Sequence, residues 1–166
     1  NDFGILGPRT ILGHAIHLSD EELDMLSSSG TAIAHCPDSN FYLKSGEYPL
    51  RRISMHDIPF GLGSDVGAGT SLNMLYHAKM MNYRQTKDAI LAEEMLYRIT
   101  LGSAKIAGMA DLIGSLDTGK DADMVFYKAP AGFDITQQSL SQLCFAPDIF
   151  KICKVLVLGK DMLDLA

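Results

Sequence analysis

Phe60-Gly-Leu-Gly-Ser-Asp-Val-Gly-Ala-Gly69 is the stretch from which the fold can be read. The apolar run Ile58-Pro-Phe-Gly-Leu62 has the length and make-up of a buried strand. It delivers one carboxylate, Asp65, into a segment in which four of the nine residues from Gly61 to Gly69 are glycine. A strand that ends on an acid and opens into a permissive loop is how an α/β protein presents a functional group at the carboxyl edge of its sheet. Asp65 could instead cap the helix that the pattern starts at Thr70. From this stretch alone the two readings stand level.

Two similar units precede it. Thr10-Ile-Leu-Gly-His14 is a short apolar strand, and Ser19 and Glu22 have capping-box spacing ahead of Leu23 and Leu26. Gly30 stands where that helix should stop, and Thr31-Ala-Ile-Ala-His35 forms a second strand. Cys36-Pro-Asp-Ser-Asn40 reads as a bend leading into a polar loop that runs through Gly46, followed by a short helix from about Leu50 to His56. Strands alternating with helices predict a parallel sheet, either a barrel or a doubly wound one. Its carboxyl ends would carry His14, His35 with Asn40, and Asp65 on one side. His17, three residues after His14, is assigned to the loop.

Further along, helices are predicted over Thr70–Tyr83, Lys87–Thr100 and Ser103–Met109, their Met-rich patches filling core. Gly114-Ser-Leu-Asp-Thr-Gly-Lys-Asp-Ala-Asp123 is rich in turn residues and precedes a strand, Met124–Tyr127. A helical segment over Ile135–Leu143 and a strand over Ile152–Leu158 follow, with Gly159-Lys160 as the hairpin turn. Residues 114–166 thus read as a small β module with a helical excursion, appended to 1–113.

Composition limits the function. The 166 residues are 47% hydrophobic, enough for one respectable core. Fourteen Lys and Arg against 20 Asp and Glu give a net charge of −6, and the longest basic cluster is Arg51-Arg52, so the sequence points away from nucleic-acid polymers. Three cysteines without C-x-x-C spacing read as unpaired thiols, all buried, in a reducing and therefore cytoplasmic setting. No apolar run approaches the roughly 20 residues of a membrane helix. Opening at Asn1 without Met, the chain reads as a continuation of something earlier.

Gly13-His14, Ala34-His-Cys-Pro-Asp-Ser-Asn40 and Gly61-Leu-Gly-Ser-Asp65-Val-Gly-Ala-Gly-Thr-Ser71, in this order and at these separations, resemble the last three βα units of the amidohydrolase superfamily. The likeness is strongest to its guanine-deaminating members. Ile113-Gly-Ser-Leu-Asp-Thr-Gly-Lys-Asp-Ala-Asp-Met-Val125 resembles the return of such chains into their flanking domain.

The resemblance implies a (β/α)8 TIM barrel, with strands six to eight supplied here, and the C-terminal portion of a small β-sandwich. It implies hydrolytic deamination of guanine to xanthine and ammonia with one Zn2+ per site. Asp65 would be the metal ligand and, with His14, catalytic; Asp65, Ser39 and Asn40 would lie against the purine. Deaminases of methylthioadenosine or S-adenosylhomocysteine, or triazine hydrolases, are the alternatives within the superfamily.

The family's H-x-H pair, its third ligand histidine and the glutamate three residues beyond that histidine have no counterpart here. Catalytic zinc takes about three protein ligands and an open position. The chain is therefore expected to need an N-terminal half of the same enzyme, to be inactive alone, and to associate as a homodimer. A non-catalytic fragment is the rival of another class. The cytidine type of zinc deaminase is excluded, because its Pro-Cys-x-x-Cys and H-x-E signatures do not occur.

Overall fold

The structure is a computed structural model that describes the chain except residues 1, 86, 88, 137 and 164–166. Asn1, and the points where two expected helices cross 88 and 137, lie outside the described residues. Three short strands, β1 (Ile11–Gly13), β2 (Ala32–His35) and β3 (Phe60–Leu62), form a parallel sheet in the order β1-β2-β3. Gly13 pairs with Ala34 and Ala34 with Gly61, so the three strands end within one residue of a common row. The alternating βα reading therefore holds, and the three loops that follow the strands emerge from one edge.

Local chemistry explains the helices that cover this sheet. In α1 (Asp20–Ser29) both halves of the capping box form: Ser19 Oγ accepts from Glu22 N–H at 3.2 Å, and Glu22 accepts from Ser19 N–H at 2.8 Å. Gly30 closes the helix at φ 72°, a left-handed conformation in which a Cβ is disfavoured. Leu23 and Leu26 of α1 and Ile53 of α3 (Leu50–Met55) are buried with Ile33, Phe60 and Leu62 of the sheet. Each fully buried aliphatic contributes about 1.5–3 kcal/mol, which keeps such short strands in register.

The layer is completed by α4 (Met74–Tyr83), α5 (Ala92–Ile99), α6 (Leu101–Ile106) and α7 (Ser139–Phe145). Arg98 of α5 stacks 3.7 Å over the Phe60 ring and donates to the Phe60 carbonyl at 2.9 Å, while Glu94 holds its guanidinium at 2.6 Å. The strand that leads to Asp65 is thereby clamped from its helix side.

Several boundaries differ from expectation, each for a local reason. Cys36-Pro-Asp-Ser-Asn40 does not stay a loop: Pro37 opens a six-residue helix, α2 (Pro37–Tyr42), because proline at a first helical position forfeits no hydrogen bond. Helix α4 starts at Met74 rather than Thr70, with Asn73 as the cap that accepts from Leu75 N–H at 3.0 Å. Asp65 is therefore not a helix cap. Helix α5 starts at Ala92 rather than Lys87, and Thr100, at φ −124° and ψ −104°, separates it from α6.

A second sheet is antiparallel, β4 (Met124–Lys128), β5 (Lys151–Val157) and β6 (Lys160–Asp161) in that order. Its hairpin turns on Leu158 and Gly159, at φ 51° and 74°, one residue earlier than Gly159-Lys160. Cys153 of β5 is exposed, unlike the buried Cys36 and Cys144, because nothing among the described residues covers that face of the strand. Among the described residues no helix is long and apolar enough to cross a membrane.

Candidate active site

Three loops leave the carboxyl edge of the parallel sheet. His14 follows β1 directly and is pinned by its own N–H on the Ala34 carbonyl at 2.9 Å. His14, Ala15 and Asp65 take φ of 63°, 51° and 49°. Non-glycine residues in that region each cost about 1–3 kcal/mol, and such strain persists where side chains are held in a required direction.

Two of the expected residues meet. His14 Nε2 lies 3.7 Å from Asp65 Oδ2, with both side chains a third to two-fifths exposed. The other ring nitrogen, Nδ1, donates to Asn40 Oδ1 at 2.7 Å, which leaves Nε2 as the nitrogen that faces the carboxylate. At that distance the two do not hydrogen-bond, and among the described residues no hydrogen bond reaches the Asp65 carboxylate. His14, Asn40 and Asp65 border a cavity of about 470 Å³ together with His17 and Ser45; His17 Nε2 lies 2.7 Å from the Ser45 carbonyl.

Ser39 and His35 are not brought into this set. Ser39 is fully buried, and its hydroxyl donates to the Cys36 carbonyl at 3.3 Å. His35 shares a face of β2 with Ile33 and is turned into the core, stacked 4.0 Å from the Tyr48 ring. Neither of its ring nitrogens has a partner among the described residues, and burial, reinforced by the His14 charge, pushes its pKa down to about 3. Burial, aided by the Asp65 charge, pushes the Cys36 thiol up to about 11, so a thiolate nucleophile is not available beside the cavity at neutral pH.

The His35 shift has a testable sign. A histidine whose native pKa lies below its ordinary 6.5 contributes full stability above pH 6.5 and loses it as pH falls toward about 3, because only the unfolded chain takes up the proton. At 1.36 kcal/mol per unit, that interval corresponds to at most about 5 kcal/mol. Urea unfolding of the full-length protein between pH 7 and 4 should show a slope about one proton steeper than in His35→Gln. Identical slopes would remove His35 as the cause.

Sequence reasoning missed Asp38. It is 3% exposed, and its Oδ2 accepts from Thr70 N–H at 2.5 Å and from the Thr70 hydroxyl at 2.7 Å, with the Tyr76 hydroxyl 3.4 Å from Oδ1. An acid after proline at a helix start was readable; a partner 32 residues away was not.

Among the described residues, no group of three or more His, Cys, Asp and Glu side chains is gathered as a bound cation requires. Asp65 has only the His14 ring beside it, at 3.7 Å, which falls short of the three or so protein ligands that catalytic zinc takes.

The chain is similar to several known proteins. The chain is 37% identical over 138 residues to the guanine deaminase of Escherichia coli (strain K12), covering 79% of this chain and 30% of that protein. It is 41% identical over 130 residues to the 8-oxoguanine deaminase of Pseudomonas aeruginosa, covering 75% and 29%. The solved E. coli guanine deaminase superposes with a TM-score of 0.88 at 30% identity, over 97% of this chain and 40% of that one. An adenosine deaminase from Xanthomonas campestris with bound zinc superposes at 0.83 and 28% identity, over 96% and 38%. The chain thus spans about a third of the length of the curated relatives it matches. The Amidohydrolase family pattern matches residues 1–161, and the mixed α/β fold is that of amidohydrolase structures: the chain belongs to the amidohydrolase family.

Proposed function

We propose that this chain is the C-terminal part of a zinc-dependent hydrolase that deaminates guanine to xanthine and ammonia. Residues 1–113 contribute barrel strands six to eight and their helices, and 114–166 contribute part of a flanking β-sandwich with a helical excursion, α7, whose Cys144 is buried in the core of the first unit. The remaining metal ligands come from polypeptide outside this chain. The observation that carries the reading is the His14–Asp65 pair, 3.7 Å apart and facing a cavity at the strand ends. Likeness to guanine deaminase over most of the chain supports it.

Asp65 fits a cation ligand because its carboxylate faces the cavity and accepts no hydrogen bond among the described residues. A divalent ion held there would lower the pKa of water toward about 7, which is the chemistry it would supply. With such an ion bound, Asp65 would be its ligand and the base for a proton from the attacking water, and His14 Nε2 would be placed to hold or return that proton. Water oxygen bonds to the ring carbon that bears the amine, the carbon–nitrogen bond breaks, and the transferred proton leaves on ammonia. Asn40 keeps Nε2 pointed at the carboxylate by fixing the Nδ1–H tautomer. Its buried Nδ2, unpartnered among the described residues, is a donor left for substrate or for polypeptide outside this chain.

The 41% identity to an 8-oxoguanine deaminase favours a second purine substrate, so the test is competitive. The full-length protein, assayed for ammonia release with guanine, 8-oxoguanine and S-adenosylhomocysteine and for chloride release with a chlorotriazine, should give the highest kcat/KM with guanine. Preference for 8-oxoguanine would change the substrate and keep the site. Turnover of none of them would end the reading.

A further inference from the structure

Helix α2 stands between the two loops that carry the reacting pair. Asn40, on its second turn, grips the His14 ring at 2.7 Å. Asp38, two residues earlier, grips Thr70 through both the backbone N–H and the hydroxyl. Thr70 directly follows the ring in which Ala68 and Gly69 N–H groups return to the Asp65 carbonyl, at 3.1 and 2.6 Å. A hold on Thr70 is therefore a hold on Asp65.

We propose that α2 is a bracket that sets the His14–Asp65 separation, with Asp38 as the positioning residue on the Asp65 side. The proposal rests on the deaminase reading for its kinetic consequence but not for its geometry. A buried carboxylate that served only the fold could be satisfied by any nearby donors. This one instead spends its accepting capacity on the loop of the cation-facing acid, with Tyr76 as its remaining partner. Charge-assisted bonds of this kind are about twice as strong as neutral ones, and a misplacement of about 1 Å at a reacting pair costs on the order of 100-fold in rate. Asn40 and Asp38 lie within one helical turn, so the distance between the two grips is rigid.

Asp38→Asn in the full-length protein keeps the shape and removes the charge. Its kcat should fall about 10- to 100-fold with KM within about threefold, and zinc affinity should fall about 10-fold or more, as for outer partners of metal ligands. Thr70→Val, which keeps the N–H and loses the hydroxyl, should lower kcat less. Thr70→Ser should restore it, and the Asp38→Asn/Thr70→Val pair should be no worse than Asp38→Asn alone.

Deuterium uptake by the peptide covering 65–71 should rise about 10-fold in Asp38→Asn, with or without zinc. An Asp38→Asn enzyme with wild-type kcat, or one changed only in KM, overturns the bracket, as does unchanged uptake. If Asp38→Asn does not fold, equal behaviour of Thr70→Val and wild type overturns it instead. If the wild-type protein deaminates no purine, the reading of the reaction fails, and zinc affinity and deuterium uptake across the same variants still decide the bracket.

Discussion

Asp65→Asn in the full-length protein is expected to lower kcat by about 10³-fold or more, with the folded structure intact. The variant keeps the volume and the hydrogen-bonding outline of the side chain. What it loses is the negative charge that would hold a cation and the basicity that would accept a proton from water, and both losses fall on the transition state. Structural damage is not expected, because Asp65 is a third exposed and its carboxylate meets only the His14 ring among the described residues. Thermal unfolding should therefore shift by no more than a few degrees while turnover collapses. Zinc content, measured on the same preparation, should fall as well. A variant that keeps near-native kcat and full zinc occupancy would show that this carboxylate neither binds the ion nor moves the proton, and the proposed chemistry would have no base.

The parts of this arrangement that were legible in the sequence are those fixed by local chemistry. Ser19 and Glu22 announce a capping box that forms in full, and Gly30 announces a left-handed stop. The three apolar runs place three parallel strands, and strand ends on one edge bring His14, Asn40 and Asp65 together. Errors arose where local preference and long-range contact compete.

Pro37-Asp-Ser-Asn40 consists of turn formers, yet six residues suffice for a helix once Asp38 and Asn40 find partners in two other loops. No periodicity reveals so short an element. Thr70 and Ser71 resemble a helix start, but Asp38 holds Thr70 in the loop, and Asn73 caps the helix instead. His35 looks equivalent to His14 because both end apolar runs. Its parity with Ile33 on β2 puts it on the core face, whereas His14 lies beyond β1, where alternation no longer applies. A strand buried on both faces hides that distinction from composition alone.

The second large effect is expected at a residue with no side chain. Gly67 and Gly69 both belong to the loop that follows Asp65, and the sequence does not rank them. The structure separates them sharply. A Cβ at Gly67 would meet nothing within 4 Å, and its only penalty is the backbone angle of φ +113°. A Cβ at Gly69 would lie 1.8 Å from the Ser64 carbonyl oxygen and 3.1 Å from that of Asp65, both of them backbone atoms that no rotamer change can move. The Gly69 N–H closes the ring onto Asp65 at 2.6 Å, so the clash can be relieved only by opening that ring.

Opening it releases Thr70 from its fixed distance and lets Asp65 swing away from His14. Gly69→Ala in the full-length protein should therefore cost about 2–3 kcal/mol of stability, in the range for overpacking. It should lower kcat at least about 100-fold, since the reacting pair loses its alignment. Gly67→Ala should cost about 1–2 kcal/mol, the strain of a side chain at positive φ, and a smaller part of the rate. Steady-state kinetics and chemical denaturation of the two variants side by side make the comparison. If Gly69→Ala is no worse than Gly67→Ala in both measurements, the loop does not hold Asp65 through this closed ring.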